Sequence, residues 1–260
     1  MYSIYRSMFT LAFAVAFILV SGASRAQATE LTVLTTTEPP YSYEDEKTKM
    51  AAGYSTDVAR AVLKQAGIKT KGDISVLPWA RAYKMLQDKP NILAFTVTKT
   101  EERTPLFQWV GPIAPRAYWL WALASRDDVQ AANEQELLRY QVGGVRDFAS
   151  TKQLMALGFK EGGNLQIINT SVQNYKKILL NKRIDLLPDL ELGVAFQLSK
   201  LGKKSNLLKK VYLLDNRYNY YLALSKSTSP DIAKSLQQAF ETLREQGKID
   251  AIMQTYFNRE

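Results

Sequence analysis

Two threonines and one arginine stand close together in the sequence and have the chemistry needed to bind a small anion. Thr96 and Thr98 alternate along an apolar run that predicts a strand, and Arg103 follows in the next turn. Residues two apart in an extended chain point to the same side, so both hydroxyls can face one solute, or else both face solvent. A guanidinium makes paired hydrogen bonds to a carboxylate, which lysine cannot do. The spacing predicts a carboxylate site; the alternative for Arg103 is a surface ion pair with Glu101 or Glu102.

The composition excludes most hydrolase mechanisms. The chain contains no histidine and no cysteine. It therefore has no Ser-His-Asp triad, no thiolate nucleophile and no disulfide, and a zinc site would depend on carboxylates alone. We assign no catalytic residue, no metal site and no cofactor.

The first 28 residues predict a secretory signal peptide. Arg6 precedes an apolar run over residues 8–20, and Ala26-Gln27-Ala28 follows as a cleavage site of small residues. The run is shorter than the ~20 apolar residues of a membrane-spanning helix. We predict cleavage after Ala28 and a periplasmic mature protein, with an uncleaved anchor as the alternative.

The excess of basic over acidic residues does not indicate nucleic-acid binding. The formal net charge is +9, but the lysines and arginines are scattered, with short clusters such as Lys203-Lys204 in predicted loops. No basic run is interleaved with aromatic residues for base stacking. We expect a small-molecule partner, no nucleic acid, and a monomer.

Apolar runs and amphipathic helices alternate along the chain and predict an α/β fold. The first part shows a β-α-β-α-β order, with elements at 31–37, 58–66, 75–77, 79–86 and 92–97. This order implies a parallel sheet with right-handed crossovers. A second α/β set follows, with strands at 119–124, 141–145, 165–168 and 184–188 and helices at 134–139, 150–157 and 172–180. The chain ends with strands at 211–214 and 218–224 and helices at 229–246 and 248–256.

Several short motifs along the chain match the pattern of one protein family. They are Gly53-Tyr54-Ser55-Thr56-Asp57, Pro78-Trp79-Ala80-Arg81, Thr98-Lys99-Thr100-Glu101-Glu102-Arg103, Lys182-Arg183-Ile184-Asp185 and Leu243-Arg244-Glu245-Gln246-Gly247. These motifs resemble the bacterial extracellular solute-binding proteins of family 3, periplasmic receptors for amino acids and related solutes. The resemblance implies a two-lobed clamshell, each lobe a mostly parallel sheet flanked by helices, with two hinge strands. It implies that residues 29–115 and 217–260 form lobe 1 and residues 116–216 form lobe 2.

The resemblance also implies a ligand site between the lobes. In lobe 1 it places Arg103 and Thr98 on the solute carboxylate. Tyr41 and Trp79 are expected at strand edges facing the cleft, where their rings either clamp the solute or belong to the core. Phe95 stands where many family members have a small polar residue and would form an apolar wall.

In lobe 2, family members commonly place a glycine and then serine or threonine at a helix N-terminus that receives the solute anion. This chain lacks the glycine, has Phe148 in that loop, which we include in the site, and keeps Ser150 as a cap for the following helix. The resemblance also implies an acid that holds the solute ammonium group. Asp189 is the nearest match, one residue closer to Asp185 than is common, and Glu191 is the alternative.

The sequence therefore predicts a periplasmic receptor for a small polar solute that carries a carboxylate, such as an amino acid or an analogue. The family implies delivery to an inner-membrane ABC permease. One alternative is a cyclohexadienyl or arogenate dehydratase-like enzyme on the same fold, in which Asp189 or Glu191 protonates a leaving hydroxyl. Another is a periplasmic protein that reports its ligand state to a membrane signalling partner.

Overall fold

The fold is described from a computed structural model that covers residues 30–180 and 183–257. The predicted signal peptide lies outside the described residues. The strands are β1 (Thr32–Thr35), β2 (Tyr43–Glu44), β3 (Ala51–Ala52), β4 (Ser75–Val76), β5 (Ile92–Thr98), β6 (Phe107–Pro115), β7 (Tyr118–Leu123), β8 (Val142–Val145), β9 (Leu165–Ile168), β10 (Leu187–Leu190), β11 (Leu208–Asp215) and β12 (Asn219–Ser225). The helices are α1 (Tyr54–Ala66), α2 (Trp79–Asp88), α3 (Glu134–Leu137), α4 (Ala149–Ala156), α5 (Ser171–Leu179), α6 (Glu191–Lys200), α7 (Pro230–Glu245) and α8 (Lys248–Phe257). Within the covered ranges, no helix is long and apolar enough to span a bilayer.

A five-stranded sheet forms the centre of the first lobe, in the order β4-β1-β5-β12-β6. As the β-α-β-α-β order predicts, β1 pairs in parallel with both β4 and β5, whereas β12 pairs antiparallel with β5 and β6. All seven residues of β5 are buried, as expected for the middle strand of a covered sheet. The C-terminal helices α7 and α8 pack on α1, so the end of the chain completes the lobe that its beginning starts.

The start of α1 fixes the turn that enters the cleft. Gly53 has a φ of 112°, and a Cβ atom there would lie 2.6 Å from the carbonyl oxygens of Pro40 and Tyr41. Only glycine lets the turn approach the helix so closely. The N–H groups of Tyr54 and Ser55 donate to these two carbonyls at 3.1 and 2.7 Å, which satisfies donors that a helix N-terminus otherwise leaves free.

The second lobe contains an antiparallel sheet, β10-β7-β11, and a parallel pair, β8-β9. We expected a mostly parallel sheet in this lobe. The chain enters it along β7 and leaves it along β11, so these two long neighbouring strands run in opposite directions. The strand predicted at 184–188 lies at Leu187–Leu190. Its start is displaced because the Asp185 carboxylate accepts hydrogen bonds from the Gln141 N–H and from Arg126, which holds the preceding residues in a loop. Helix α6 was not predicted.

Two segments cross between the lobes, from β6 to β7 and from β11 to β12. The predicted two-lobed α/β fold is therefore confirmed. Boundaries at 115/116 and 216/217 stay a prediction, which the membership of the strands in separate sheets supports. Arg116 in the first crossing and Asp215 in the second form an ion pair whose side chains are 2% and 1% exposed. This pair joins the two hinge segments to each other.

Candidate functional site

A small cavity of about 20 Å³, room for about one water molecule, lies where the two lobes and the hinge meet. Five of the predicted site residues line it: Trp79, Thr96, Thr98, Arg103 and Phe148. The other lining residues are Thr36, Glu38, Arg116, Tyr118, Ala149, Ser150 and Tyr220. The lining thus combines charged and hydroxyl side chains with four aromatic rings, a combination found in small-molecule sites.

Arg103 is almost completely buried, and its guanidinium packs 5.0 Å from the ring centre of Trp79 and 5.1 Å from that of Tyr83. Burial lowers the pKa of Arg103, and the adjacent Tyr83 acts in the opposite direction. Nη2 donates to the backbone oxygen of Asp147 at 2.8 Å, and Nη1 donates to that of Thr98 at 3.4 Å. Nε has no hydrogen-bond partner among the described residues. The guanidinium therefore retains an unused donor inside the cavity wall.

The alternative role of Arg103, an ion pair with a neighbouring glutamate, does not occur in this conformation. Glu102 instead accepts hydrogen bonds from Lys152 of the second lobe, at 2.6 and 2.8 Å. This pair lies at the exposed rim of the cleft and links the lobes.

Thr96 adds a second unused polar group. Its Oγ1 is buried without a hydrogen-bond partner among the described residues, and its backbone has a φ of 61°. A β-branched residue in this left-handed region is a steric outlier, and such residues concentrate at functional sites. Thr96 and Thr98 both line the cavity; that their hydroxyls bind a solute stays a prediction.

Glu38 is a cavity residue that the sequence analysis missed. Its side chain is 4% exposed, and the Tyr118 hydroxyl donates to Oε1 at 2.7 Å. Burial raises the pKa of Glu38 to about 8; the charge of Asp189 acts in the same direction, and Tyr118 and Arg116 oppose it. The available sequence signal was an acid three residues after β1, in the turn that precedes the cleft.

Tyr41 and Phe95 were predicted in the site, but the structure places both outside the cavity lining. Tyr41 packs against the rings of Tyr54 and Tyr220, with centroids 6.2 and 5.4 Å away. Phe95 is fully buried in the hydrophobic core of α1 and the central sheet. Tyr41 contacts the ring of the cavity-lining Tyr220, and Phe95 directly precedes the lining residue Thr96 in β5.

Asp189 is also absent from the cavity lining. Its carboxylate is buried and accepts hydrogen bonds from the Tyr175 hydroxyl at 2.5 Å and from the Leu190 N–H at 2.7 Å. Burial raises the pKa of Asp189 to about 7. The alternative acid, Glu191, is exposed, does not line the cavity, and accepts a hydrogen bond from Lys210 at 2.7 Å.

The loop before α4 closes the cavity from the second lobe. The backbone oxygen of Asp147 accepts hydrogen bonds from Trp79 Nε1 and from Arg103 Nη2, both at 2.8 Å. The Phe148 ring meets Trp79 edge-on at 6.4 Å. Phe148 is the N-cap residue of α4, without a side-chain cap, so Ser150 lies in the first turn and does not cap the helix as predicted. The Asp147 carbonyl of the second lobe thus contacts the first lobe through two donors, Trp79 and Arg103.

Comparison with known proteins agrees with this architecture. Residues 31–259 match the family described as bacterial extracellular solute-binding proteins, family 3. No curated protein matched the sequence. Similar solved structures include an ancestral arginine-binding protein bound to arginine, with a TM-score of 0.77, 17% identity, and coverage of 89% of this chain and 100% of that one.

Two further structures show the same fold. The arginine-, lysine-, histidine-binding protein ArtJ from Geobacillus stearothermophilus has a TM-score of 0.73 and 18% identity, covering 88% of this chain and 96% of that one. A histidine kinase sensor domain with similarity to periplasmic binding proteins has a TM-score of 0.74 and 18% identity, with coverage of 88% and 96%.

Proposed function

The chain belongs to the bacterial extracellular solute-binding proteins of family 3, and we propose that it is a periplasmic receptor for a small carboxylate-bearing solute, an amino acid or an analogue. In this proposal it delivers the solute to an inner-membrane ABC permease. The observation that carries the proposal is the buried guanidinium of Arg103, with an Nε donor that no described residue uses.

A buried charge is costly unless it is paired and hydrogen-bonded. The partners of Arg103 are two backbone carbonyls and two aromatic rings, and no described carboxylate lies within ion-pair distance. These neutral groups solvate the cation without neutralising it. A solute carboxylate would supply the negative charge, accept from Nε, and accept from the unpartnered hydroxyl of Thr96.

The position of the cavity supports capture by closure. Solute bound there touches residues of both lobes and stabilises the closed conformation, so affinity and hinge movement are linked. In this conformation the Asp147 carbonyl accepts a hydrogen bond from Nη2. A carboxylate that uses both Nε and Nη2 must therefore displace this carbonyl, which predicts a small rearrangement of the loop before α4.

The test is a thermal-shift screen of the mature protein, unfolded and refolded to remove carried-over solute, against amino acids, dicarboxylates, small peptides and prephenate. A solute at 100 times its dissociation constant stabilises the folded state by ~2.7 kcal/mol. We expect Arg103→Ala to lose this shift and Arg103→Lys to lose most of it, because lysine keeps the charge without the planar pair of donors.

The matched control is Arg146→Ala. Arg146 is half-exposed and pairs with Glu161 outside the cavity, so its loss should leave the shift intact. Full binding by Arg103→Ala would refute the carboxylate proposal. Consumption of prephenate by the unmodified protein would instead support the dehydratase-like alternative.

A further inference from the structure

We propose that the hairpin of β2 and β3 acts as a clasp that holds the cleft closed from outside the cavity and thereby determines how fast a solute leaves. The clasp consists of Tyr43 and Glu46 of the first lobe with Phe196 and Lys200 of the second. None of these four residues lines the cavity. The part that concerns solute release rests on the proposed function, whereas the contact between the lobes concerns the protein alone, so each part can fail separately.

The turn of the hairpin is fixed by its own hydrogen bonds. Asp45 Oδ1 accepts from the N–H of Lys47 at 3.1 Å and from the N–H and hydroxyl of Thr48 at 2.9 and 3.0 Å. The N–H of Asp45 donates to the Met50 carbonyl, and the N–H of Lys49 donates to the Asp45 carbonyl, both at 2.9 Å. An aspartate that bonds the backbone two and three residues further on stabilises a turn locally. The hairpin therefore keeps its shape without support from the second lobe.

The base of the hairpin belongs to the first lobe. The carbonyl oxygen of Ala51 accepts from Arg60 Nη2 at 2.8 Å, and that of Ala52 accepts from Thr56 Oγ1 at 2.9 Å. Both donors are in α1, which packs on α7 and α8. The hairpin must therefore move with the first lobe when the cleft opens.

Helix α6 belongs to the second lobe and presents Phe196 on its outer face. Val194 and Leu198 of this helix are buried in the core of that lobe. Phe196 and Lys200 each follow one of them by two positions and lie on the opposite face, because successive residues of an α-helix are rotated by ~100°. An aromatic side chain on this face is half-buried because the hairpin covers it.

One aromatic and one charged contact join the hairpin to α6. The rings of Tyr43 and Phe196 have centroids 5.1 Å apart and an interplanar angle of 46°. Glu46 Oε1 lies 3.9 Å from Lys200 Nζ, which lies 5.9 Å from the centre of the Phe196 ring. The lysine and glutamate side chains are 48% and 80% exposed, so their ion pair contributes little. The aromatic pair is therefore the main contact of the clasp.

The position of the clasp outside the cavity determines its role. Solute leaves when the lobes separate, and this separation moves the hairpin away from α6. Because the clasp residues do not line the cavity, they stabilise the closed form to the same extent for every solute. Contacts that are lost on opening slow release. The clasp therefore lengthens the residence time of a solute and leaves selectivity to the cavity.

The first experiment needs no solute. It is a double-mutant cycle of Tyr43→Ala and Phe196→Ala, measured as midpoints of urea unfolding of the mature protein at pH 7. Substitutions of two residues in contact have effects that do not add. We expect the double variant to lose clearly less than the sum of the two single losses. Additive losses would overturn the clasp.

Leu201→Ala is the matched control. Leu201 is a large apolar residue directly after α6 and is 45% exposed. In a cycle with Tyr43→Ala its loss should be additive. Coupling as large as that of Phe196 would overturn the clasp, because the effect would then come from a general change in α6.

The second experiment measures release of L-glutamine, L-glutamate and L-arginine, which have neutral, acidic and basic side chains, by stopped-flow tryptophan fluorescence. Phe196→Ala should release each amino acid that binds about 2- to 12-fold faster, the range for an aromatic pair, and by the same factor for each. An unchanged rate would overturn the effect on release, and factors that differ between amino acids would overturn its independence of the solute. If none of the three binds, the solute-release part is overturned, and the double-mutant cycle still decides the clasp.

Discussion

The buried ion pair of the hinge offers the sharpest test of how this fold is held together. Arg116 and Asp215 lie 99 positions apart in the sequence, one in each crossing segment, with side chains 2% and 1% exposed. The Arg116 guanidinium also packs 4.2 Å from the ring centre of Tyr118. Asp215→Asn removes the negative charge while keeping the shape of the side chain, and leaves Arg116 buried without a counter-charge.

Removing one member of a buried pair costs about 3–5 kcal/mol, because the remaining charge loses its partner and stays out of water. Asp215 also accepts from Arg217 at 3.0 Å, but that arginine is 64% exposed and loses little when it returns to solvent. With a urea slope of roughly 2–3 kcal/mol per molar, the midpoint should fall by about 1–2.5 M.

The assay is urea unfolding at pH 7 followed by tryptophan fluorescence. Glu161→Gln breaks the half-exposed pair with Arg146 and serves as the control, since exposed pairs contribute little. The double variant Arg116→Met, Asp215→Leu should recover most of the stability, because apolar groups of similar size avoid the desolvation cost of both charges. A loss below ~1 kcal/mol for Asp215→Asn, a value typical of an exposed pair, would refute the reasoning, as would a double variant no more stable than the single one.

Three further substitutions test the cavity. Trp79→Phe keeps an aromatic ring but removes the donor to the Asp147 carbonyl, so closure should weaken by ~1 kcal/mol. The radius of gyration of the protein without added solute should then rise in small-angle scattering. An unchanged radius would contradict the role of this hydrogen bond. Gly193→Ala places a Cβ atom 2.4 Å from Asp189 Oδ1. We expect the free energy of unfolding, measured in urea, to fall by about 1–3 kcal/mol. An unchanged free energy of unfolding would show that the carboxylate moves aside at no cost. Thr96→Gly removes both the left-handed penalty and the unused hydroxyl. Its stability should be unchanged or higher while solute affinity falls about tenfold in calorimetry, and a loss of stability would argue that Thr96 is structural.

Sequence reasoning grouped those cavity-lining residues that are local in the chain. Thr96, Thr98 and Arg103 fall within one strand and the turn after it, so their spacing alone brings them together. The missed residues depend on tertiary structure. Glu38 and Tyr220 reach the cavity from segments far apart in sequence, and Arg116 is buried only because the second crossing segment supplies its counter-ion.

The fold, too, was predictable where it follows from local patterns in the sequence and was missed where it depends on tertiary structure. The parallel order β4-β1-β5 follows from alternating strands and helices, which is a local signal. The antiparallel pairing of β12 depends on the return of the chain from the second lobe, and no local pattern encodes it. Helix α6 was missed because it begins directly after β10, at Glu191, without a turn signal between the two. Phe95 was placed in the site because many family members have a small polar residue at its position, but its ring lies in the core.

The closed cleft has few contacts of its own, and this sets what a solute must contribute. Across the lobes the described polar contacts around the cavity are two hydrogen bonds to the Asp147 carbonyl, the hydrogen bonds of Tyr118 to Glu38 and of Ser171 to the Thr37 carbonyl, and the exposed pair of Glu102 with Lys152. A neutral hydrogen bond is worth about 0.5–1.5 kcal/mol and one to a charged group about 1.5–3 kcal/mol, whereas the exposed pair contributes less. Under the proposed function, a solute carboxylate on Arg103 adds to this small set by supplying a negative charge to a buried guanidinium that has none beside it. A solute without a carboxylate leaves that charge uncompensated and therefore stabilises closure less.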